Sequence, residues 1–154
     1  MMVEKRLRKG EGLRMEVVPP LYHGHREPDI LFVSWGSTQG LVYEAALELK
    51  ERGENVAVLH FAQVWPILSS HFVSRLEAAK RVICVEQNAT AQLADLIRRE
   101  SGFDIRESIL GTDRLPMTPG FILRNLSPER DISELKGFIR GMSADNIRDE
   151  EDRD

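Results

Sequence analysis

Residues 30–53, ILFVSWGSTQGLVYEAALELKERG, decide the fold class. The apolar run at residues 30–34 predicts a buried strand that leads into a glycine-rich loop at residues 36–40. Residues 40–52 then place apolar side chains every three or four positions, which is typical of an amphipathic helix, and Gly53 ends it. A buried strand that turns directly into a helix is the repeating unit of α/β proteins.

The same unit recurs along the chain. Apolar runs predict buried strands at residues 56–61 and 81–86, and a more polar edge strand at residues 103–110. Helices are predicted at residues 71–80, capped by Ser69 or Ser70; at residues 90–101, closed by Gly102; from Thr118-Pro119; and from Ser127-Pro128. Buried strands that alternate with helices indicate a mostly parallel sheet covered on both faces, in a doubly wound α/β domain.

The ends of the chain are less regular. Residues 1–15 are charged and predict a short helix or arm, EVVPP at residues 16–20 predicts an edge strand, and residues 22–28 predict a connector. We therefore divide the chain into three parts. These are an arm, edge strand and connector (1–28), an α/β domain (29–126), and a C-terminal helix with an acidic disordered tail (127–154).

Composition and charge exclude several classes of protein. The last ten residues hold six acidic residues and two arginines, which account for the whole net charge of −4. The rest of the chain is therefore neutral overall and lacks the net positive charge that is typical of nucleic-acid-binding domains. No apolar run approaches the roughly 20 residues that cross a bilayer, and the basic start lacks the apolar core of a signal peptide. With Cys84 as the single cysteine, a reducing, cytoplasmic setting is expected and an iron–sulfur cluster is not.

The predicted topology marks two loops as candidates for binding. If the first parallel strand is central, the second and third strands flank it, and the loops after the first and third strands border a topological switch point. Ligands or partners of such sheets bind at that point. The candidate residues are Gly36, Ser37, Thr38 and Gly40 in the first loop, and Glu86, Gln87, Asn88, Thr90 and Gln92 in the second.

The chemistry of the first loop is that of a strand-to-helix turn. Gly36 and Gly40 permit tight turning, Ser37 or Thr38 can cap the helix, and free amides at a helix N-terminus suit an anion. The loop lacks the lysine of a P-loop and the third glycine of a dinucleotide fingerprint. A free-standing flavodoxin-like module that binds a nucleotide or anion at Gly36–Gly40 is therefore the alternative interpretation.

Other polar and aromatic residues point to structure or contact rather than to catalysis. Glu86 could act as a general base, but no acid or nucleophile accompanies it, so the side chains of the second loop are expected to bond loop backbones or a partner. The four histidines lack metal-site spacing, and Cys84 is expected to be buried core. Trp65 and Pro66 predict either a lid over the helices or a protein contact.

Taken together, several stretches resemble a known family. They match in order and spacing over residues 2–123, namely MVEKRLRK, ILFVSWGSTQGLVYEAALEL, VLHFAQVWP, AKRVICVEQNATAQLADLIRRESG and MTPGFIL. They are similar to the C-terminal part of the α subunit of 2-oxoacid:ferredoxin oxidoreductases, in the 2-oxoglutarate branch. The resemblance implies a transketolase C-terminal-like fold, with three layers and five strands. Its first strand, EVVPPLY at residues 16–22, would be antiparallel to the others.

The resemblance also implies what other chains supply. In the family, thiamine diphosphate with magnesium and an iron–sulfur centre convert a 2-oxoacid to acyl-CoA and reduce ferredoxin. No Gly-Asp-Gly stretch and no cluster cysteines are present here. The family's pyrimidine-binding domain is also not recognised, which suggests a split subunit or a truncated fragment. We therefore expect an inactive assembly domain that binds no cofactor itself.

The expected partners of such a domain are the other subunits of the enzyme. They are the pyrimidine-binding part of α, a thiamine-binding β subunit and, where present, a γ subunit, with ferredoxin and coenzyme A contacted only through the assembly. The family pattern is kept at Gly36, Ser37, Gly40, Glu86, Asn88, Thr90 and Gln92. It carries no assigned catalytic role, so no catalytic residue is predicted.

Overall fold

The computed structural model describes residue 12, residues 16–112 and residues 116–126. The chain divides into two units, Met1–Arg124 and Asn125–Asp154, and all the elements below belong to the first. The predicted N-terminal arm, last helix and acidic tail fall outside the described residues. The elements are β1 (Leu21–His23), β2 (Ile30–Trp35), α1 (Gln39–Glu51), β3 (Val56–Phe61), α2 (Val73–Glu77), β4 (Arg81–Glu86), α3 (Gln92–Ser101), β5 (Glu107–Leu110) and α4 (Pro119–Arg124).

The five strands form one sheet in the order β1-β3-β2-β4-β5. The central strand β2 is parallel to both β3 and β4, and β5 continues the parallel part beside β4. Only β1 is antiparallel, and it pairs with β3. The prediction of a mostly parallel sheet with an antiparallel first strand is confirmed. Because β3 lies on one side of β2 and β4 on the other, the loops after β2 and β4 border the switch point.

Helices cover both faces of the sheet because its inner strands are apolar on both sides. All six residues of β3 are buried, as expected for a strand inside a parallel sheet. On one face, α1 packs against β3 and α4 through its predicted apolar stripe, and all four stripe residues are buried: Val42, Ala45, Ala46 and Leu49. On the other face, α2 and α3 bury Leu76, Leu93 and Ile97 against β2, β3 and β4.

The first strand is shorter than predicted. Of the predicted EVVPPLY strand only Leu21 and Tyr22 are in β1, which also takes in His23 from the predicted connector. The two preceding residues, Pro19 and Pro20, have no N–H and a fixed φ, so ladder pairing with β3 begins only after them. The fourth parallel strand is likewise shortened to its last four residues, Glu107–Leu110.

Two helices begin later than predicted. In place of the predicted helix at residues 71–80, a 3₁₀ turn at Ser69–His71 is followed by the short helix α2, and no serine side chain caps either. Helix α3 begins at Gln92 rather than at Thr90, because Ala91 has a left-handed φ of 52° that breaks the helical path. Its end at Gly102, with φ 76°, is as predicted.

Within the described part of the chain, no helix has the length and apolar character that crossing a membrane requires.

Candidate functional site

One buried carboxylate joins the carboxyl ends of β2 and β4. Glu86, the last residue of β4, has no exposed surface. Its Oε2 accepts hydrogen bonds from Trp35 Nε1 at 3.2 Å and from Asn88 Nδ2 at 2.7 Å. Its Oε1 accepts one from the thiol of Cys84 at 3.2 Å. Trp35 is the last residue of β2, so this carboxylate connects the two strands that border the switch point.

The same carboxylate caps helix α3. The backbone N–H of Leu93 donates to Glu86 Oε2 at 2.8 Å, and that of Ala94 donates to Oε1 at 3.2 Å. The first N–H groups of a helix have no partner within the helix and lie at the positive end of its dipole. In many α/β proteins such amides bind the anionic group of a ligand. Here the protein's own side chain occupies that position.

The neighbouring polar side chains bond backbone. Asn88 Oδ1 accepts the N–H of Thr90 at 3.0 Å and that of Gln92 at 3.4 Å. Gln87 Oε1 accepts the N–H of Met117 at 3.2 Å. Of the two predicted roles, bonding loop backbones or bonding a partner, the structure shows the first for Gln87 and Asn88. A general base must reach a substrate proton, and Glu86 is buried with both oxygens engaged, so the geometry does not support that role.

The first loop is a turn that needs glycine at one position. Gly36 has a φ of 59°, and Gly36–Thr38 form a 3₁₀ turn before α1. The predicted cap by Ser37 or Thr38 is wrong, because no side chain caps α1 and Thr38 Oγ1 donates to the carbonyl of Trp35 at 2.7 Å. Thr38 already has helical angles, φ −76° and ψ −6°, so its hydroxyl bonds back to an earlier carbonyl.

A buried serine and a buried histidine form a hydrogen bond between two neighbouring strands. Ser34 Oγ and His60 Nδ1 share a hydrogen bond of 2.9 Å between the neighbouring strands β2 and β3. Serine–histidine pairs can act as nucleophile and base, but Ser34 is 0% and His60 3% exposed. A substrate cannot reach them, so the pair is structural. Burial lowers the pKa of His60 below its ordinary 6.5.

The depressed pKa of His60 predicts a loss of stability in mild acid. Unfolded chains bind a proton at His60 near pH 6.5, whereas the folded protein resists it, so the free energy of unfolding falls as the pH drops below about 6.5. One such group contributes at most about 1.4 kcal/mol per pH unit. Urea titrations between pH 8 and 5 should show a steeper loss for the wild type than for His60→Gln. If the free energy of unfolding falls equally steeply with pH in both proteins, His60 does not have a lowered pKa in the folded protein.

Cys84 is a buried thiol, as predicted. It is fully buried in β4, and burial, followed by the negative charge of Glu86, raises its pKa well above the ordinary value. A thiol reagent should therefore react at least about 100-fold more slowly with native protein than with protein in denaturant, because modification requires local or global opening. Similar rates in the two conditions would show that β4 is not a buried central strand.

A groove of about 460 Å³ lies beside Trp35, at the same edge of the sheet. Its lining is Trp35, Val64, Gln92, Leu93, Asp95, Leu96 and Arg99. At its rim, the Arg99 guanidinium lies 5.9 Å from the centre of the Trp65 ring. Pro66 is buried, whereas Trp65 is 56% exposed, so the tryptophan leaves surface available for contact.

Among the described residues, no three histidine, cysteine, aspartate or glutamate side chains come together to hold an ion. His23 instead ends β1 and meets the ring of Tyr43 edge-on, with ring centres 5.1 Å apart.

Sequence reasoning did not identify Trp35 and Arg99. The contact of Trp35 could have been predicted from the sequence. Neighbouring parallel strands end at the same edge of a sheet, so a tryptophan that ends one strand can reach a glutamate that ends the next. The contact of Arg99 with Trp65 could not have been predicted from the sequence, because it depends on how the loop after β3 lies against α3.

Comparison with known proteins gives one family and several relatives. The sequence model of the transketolase C-terminal domain matches residues 22–105. Subunit alpha of 2-oxoacid:ferredoxin oxidoreductase 1 from Aeropyrum pernix is 35% identical over 115 residues, which cover 71% of this chain and 18% of that relative. The chain thus spans about a fifth of the length of this relative.

Solved structures agree with this match. The 2-oxoglutarate:ferredoxin oxidoreductase from Magnetococcus marinus, solved with 2-oxoglutarate, coenzyme A and succinyl-CoA bound, superposes with a TM-score of 0.71 at 28% identity. The superposition covers 80% of this chain and 22% of that one. A split-gene transketolase, solved as an inactive β4 tetramer, has a TM-score of 0.53 at 17% identity and shares the fold alone.

Proposed function

This chain belongs to the transketolase C-terminal domain family, and on that basis we propose that it is a non-catalytic assembly domain of the α subunit of a 2-oxoacid:ferredoxin oxidoreductase. In this proposal it packs against the thiamine-binding subunits and completes their assembly. Oxidative decarboxylation of the 2-oxoacid to acyl-CoA, with reduction of ferredoxin, belongs to the other chains.

The observation that carries the proposal is the position of Glu86. Its carboxylate takes the N–H groups of Leu93 and Ala94 at the switch point, where a doubly wound sheet would otherwise hold a ligand. A sheet edge closed by its own side chain supports a role in packing rather than in binding a substrate. Ser34 and His60, which could pair as nucleophile and base, are buried away from any substrate.

The family's cofactors do not fit the described residues. The helix N-terminus that could take a diphosphate already holds Glu86, and no cluster of possible metal ligands forms among the described residues. The single cysteine, Cys84, is buried and cannot bind a cluster that needs about four thiolates. We therefore assign thiamine diphosphate, magnesium and the iron–sulfur centre to the partner subunits. For the substrate we propose 2-oxoglutarate, because the superposed Magnetococcus enzyme is named for it.

Reconstitution tests this function. The partner subunits encoded in the same genome are expressed with and without this chain, and 2-oxoglutarate- and coenzyme A-dependent reduction of ferredoxin is measured. The isolated chain should give no turnover, and the partner subunits should need it for full activity and for a stable complex. Turnover by the chain alone, or a partner complex that assembles and works equally well without it, would contradict the proposal.

One observation favours a second function. Helix α1 has no side-chain cap, and Gly36, Ser37 and Gly40 are exposed at its start. A free-standing flavodoxin-like module could bind a nucleotide or anion there. Calorimetric titration with flavin mononucleotide, adenosine triphosphate and inorganic phosphate checks this. Binding of any of them that is lost in Gly36→Val would favour the module over the assembly domain.

A further inference from the structure

We propose that helix α3 has two alternative starts. In the observed start the helix begins at Gln92, and Glu86 accepts its first N–H groups. In the second start the helix begins one turn earlier, at Ala89, with Asn88 as its N-cap, and Ala91 changes from a left-handed to a right-handed helical conformation. This conformational switch goes beyond the proposed function and does not depend on it, because it is tested on the chain alone.

Ala91 is the strained residue of the observed start. Its φ of 52° and ψ of 47° lie in the left-handed region, and among the described residues it is the single residue other than glycine with a positive φ. In that region the Cβ lies too close to the following carbonyl oxygen, and such strain persists only where the surrounding contacts hold it. Alanine has the highest helix propensity, so a right-handed conformation here would release strain and add helical backbone.

Glu86 holds the observed start against this strain. Its carboxylate accepts the N–H of Leu93 at 2.8 Å and that of Ala94 at 3.2 Å. Both groups lack a partner within a helix that begins at Gln92. A carboxylate at a helix N-terminus makes stronger hydrogen bonds than a neutral acceptor does. The cap by Glu86 favours the observed start and the conformation of Ala91 disfavours it, so the two starts can be close in free energy.

The residues before α3 support the second start. Residues 88–91, NATA, contain neither proline nor glycine, so nothing in their chemistry breaks a helix. Asparagine is among the preferred N-caps, and its side chain then accepts the N–H of the second or third helical residue. Asn88 Oδ1 already accepts the N–H of Thr90 at 3.0 Å, and Thr90 is the second residue of a helix that begins at Ala89. Gln87 and Asn88 would remain as a two-residue connection from β4, a common length.

The second start satisfies the same buried groups in another way. The N–H groups of Leu93 and Ala94 would donate to the carbonyls four residues earlier, as in any α-helix. Glu86 would keep Trp35 Nε1 and the thiol of Cys84 as donors, both at 3.2 Å, because these residues lie in β2 and β4 and not in the loop. Neither start leaves the carboxylate or these amides without a partner, so the loop has two complete arrangements.

Saturation-transfer NMR on ¹³C-labelled protein detects the second start as a minor state. Thr90 is the probe, because it precedes the helix in the observed start and is helical in the second, and backbone carbon shifts distinguish the two. In the wild type we expect a minor state of about 3–10%, with helical shifts at Thr90. The absence of a minor state, or one with the shifts of a disordered residue, would overturn the inference.

Two alanine-to-glycine variants of the same loop test the hinge. Ala91→Gly relieves the strain of the observed start, because glycine tolerates a positive φ, and also weakens the second start, since glycine is a poor helix former. The population of the minor state should therefore fall about 25-fold or more. Ala89 is exposed and has no positive φ, so Ala89→Gly changes helix propensity alone and should lower the population about fivefold at most. If both variants lower it by the same factor, Ala91 is not the hinge and the inference is overturned.

Discussion

Replacing Glu86 with glutamine should lower the free energy of unfolding by about 3 kcal/mol, although the two side chains have nearly the same shape. The carboxylate accepts five hydrogen bonds, two at Oε1 and three at Oε2. An amide turns one of these oxygens into an N–H₂ group. Whichever way the amide is oriented, at least two donors then face a donor, and the side chain of residue 86 is fully buried.

Chemical denaturation measures this loss. The matched control is Glu44→Gln, a change of the same type at an exposed position of α1, which should alter the free energy of unfolding by less than about 0.5 kcal/mol. The Trp35 fluorescence of Glu86→Gln should also change, because its indole loses a fixed acceptor. If Glu86→Gln and Glu44→Gln lower the free energy of unfolding by the same amount, the carboxylate of Glu86 does not organise the edge of the sheet.

Replacing Gly24 with alanine should cost about 3 kcal/mol, more than the same change at Gly36. Gly24 has a φ of 132°, and an added Cβ would lie 2.6 Å from the Cβ and 2.7 Å from the Cα of Ala57. Ala57 is in the buried strand β3, so neither backbone can give way cheaply. At Gly36, with φ 59°, an added Cβ meets nothing within 4 Å.

The comparison between Gly24 and Gly36 separates backbone strain from steric clash. Gly36→Ala should cost only the roughly 1–2 kcal/mol of a left-handed conformation. Gly40→Ala, a helical position without positive φ where a Cβ meets nothing within 4 Å, should be neutral or slightly stabilising. Thermal unfolding of the three variants gives the order. A Gly24→Ala variant as stable as Gly36→Ala would show that β1 does not hold its place against β3.

The sheet was predictable from the sequence because its signals are local. Residues 56–61 and 81–86 are apolar runs too short for helices, and both are strands with the predicted bounds. The stripe of α1 follows from helical periodicity alone, and Gly53 and Gly102 end helices where glycine can adopt a positive φ. The strand order was predicted only on the condition that the first parallel strand is central, and the structure meets that condition.

The chemistry of the loops was less predictable, because it depends on contacts between distant residues. Thr38 has the right type for a cap, but the 3₁₀ turn that begins at Gly36 directs its hydroxyl to the carbonyl of Trp35. Helix α3 is capped by a residue that lies outside the helix and its flanking loop, because the N–H of Leu93 donates to Glu86 at the end of β4. Whether Trp65 and Pro66 contact a partner stays a prediction.

Hydrogen exchange at the switch point tests the central claim most directly, namely that this sheet edge serves a partner and not a ligand. Exchange at residues 36–40 and 86–90 is compared for the chain alone, with its partner subunits, and with inorganic phosphate or a nucleotide. We predict slower exchange in both loops with the subunits and no change with phosphate or nucleotide. Protection by phosphate or nucleotide alone, or no protection by the subunits, would contradict the account.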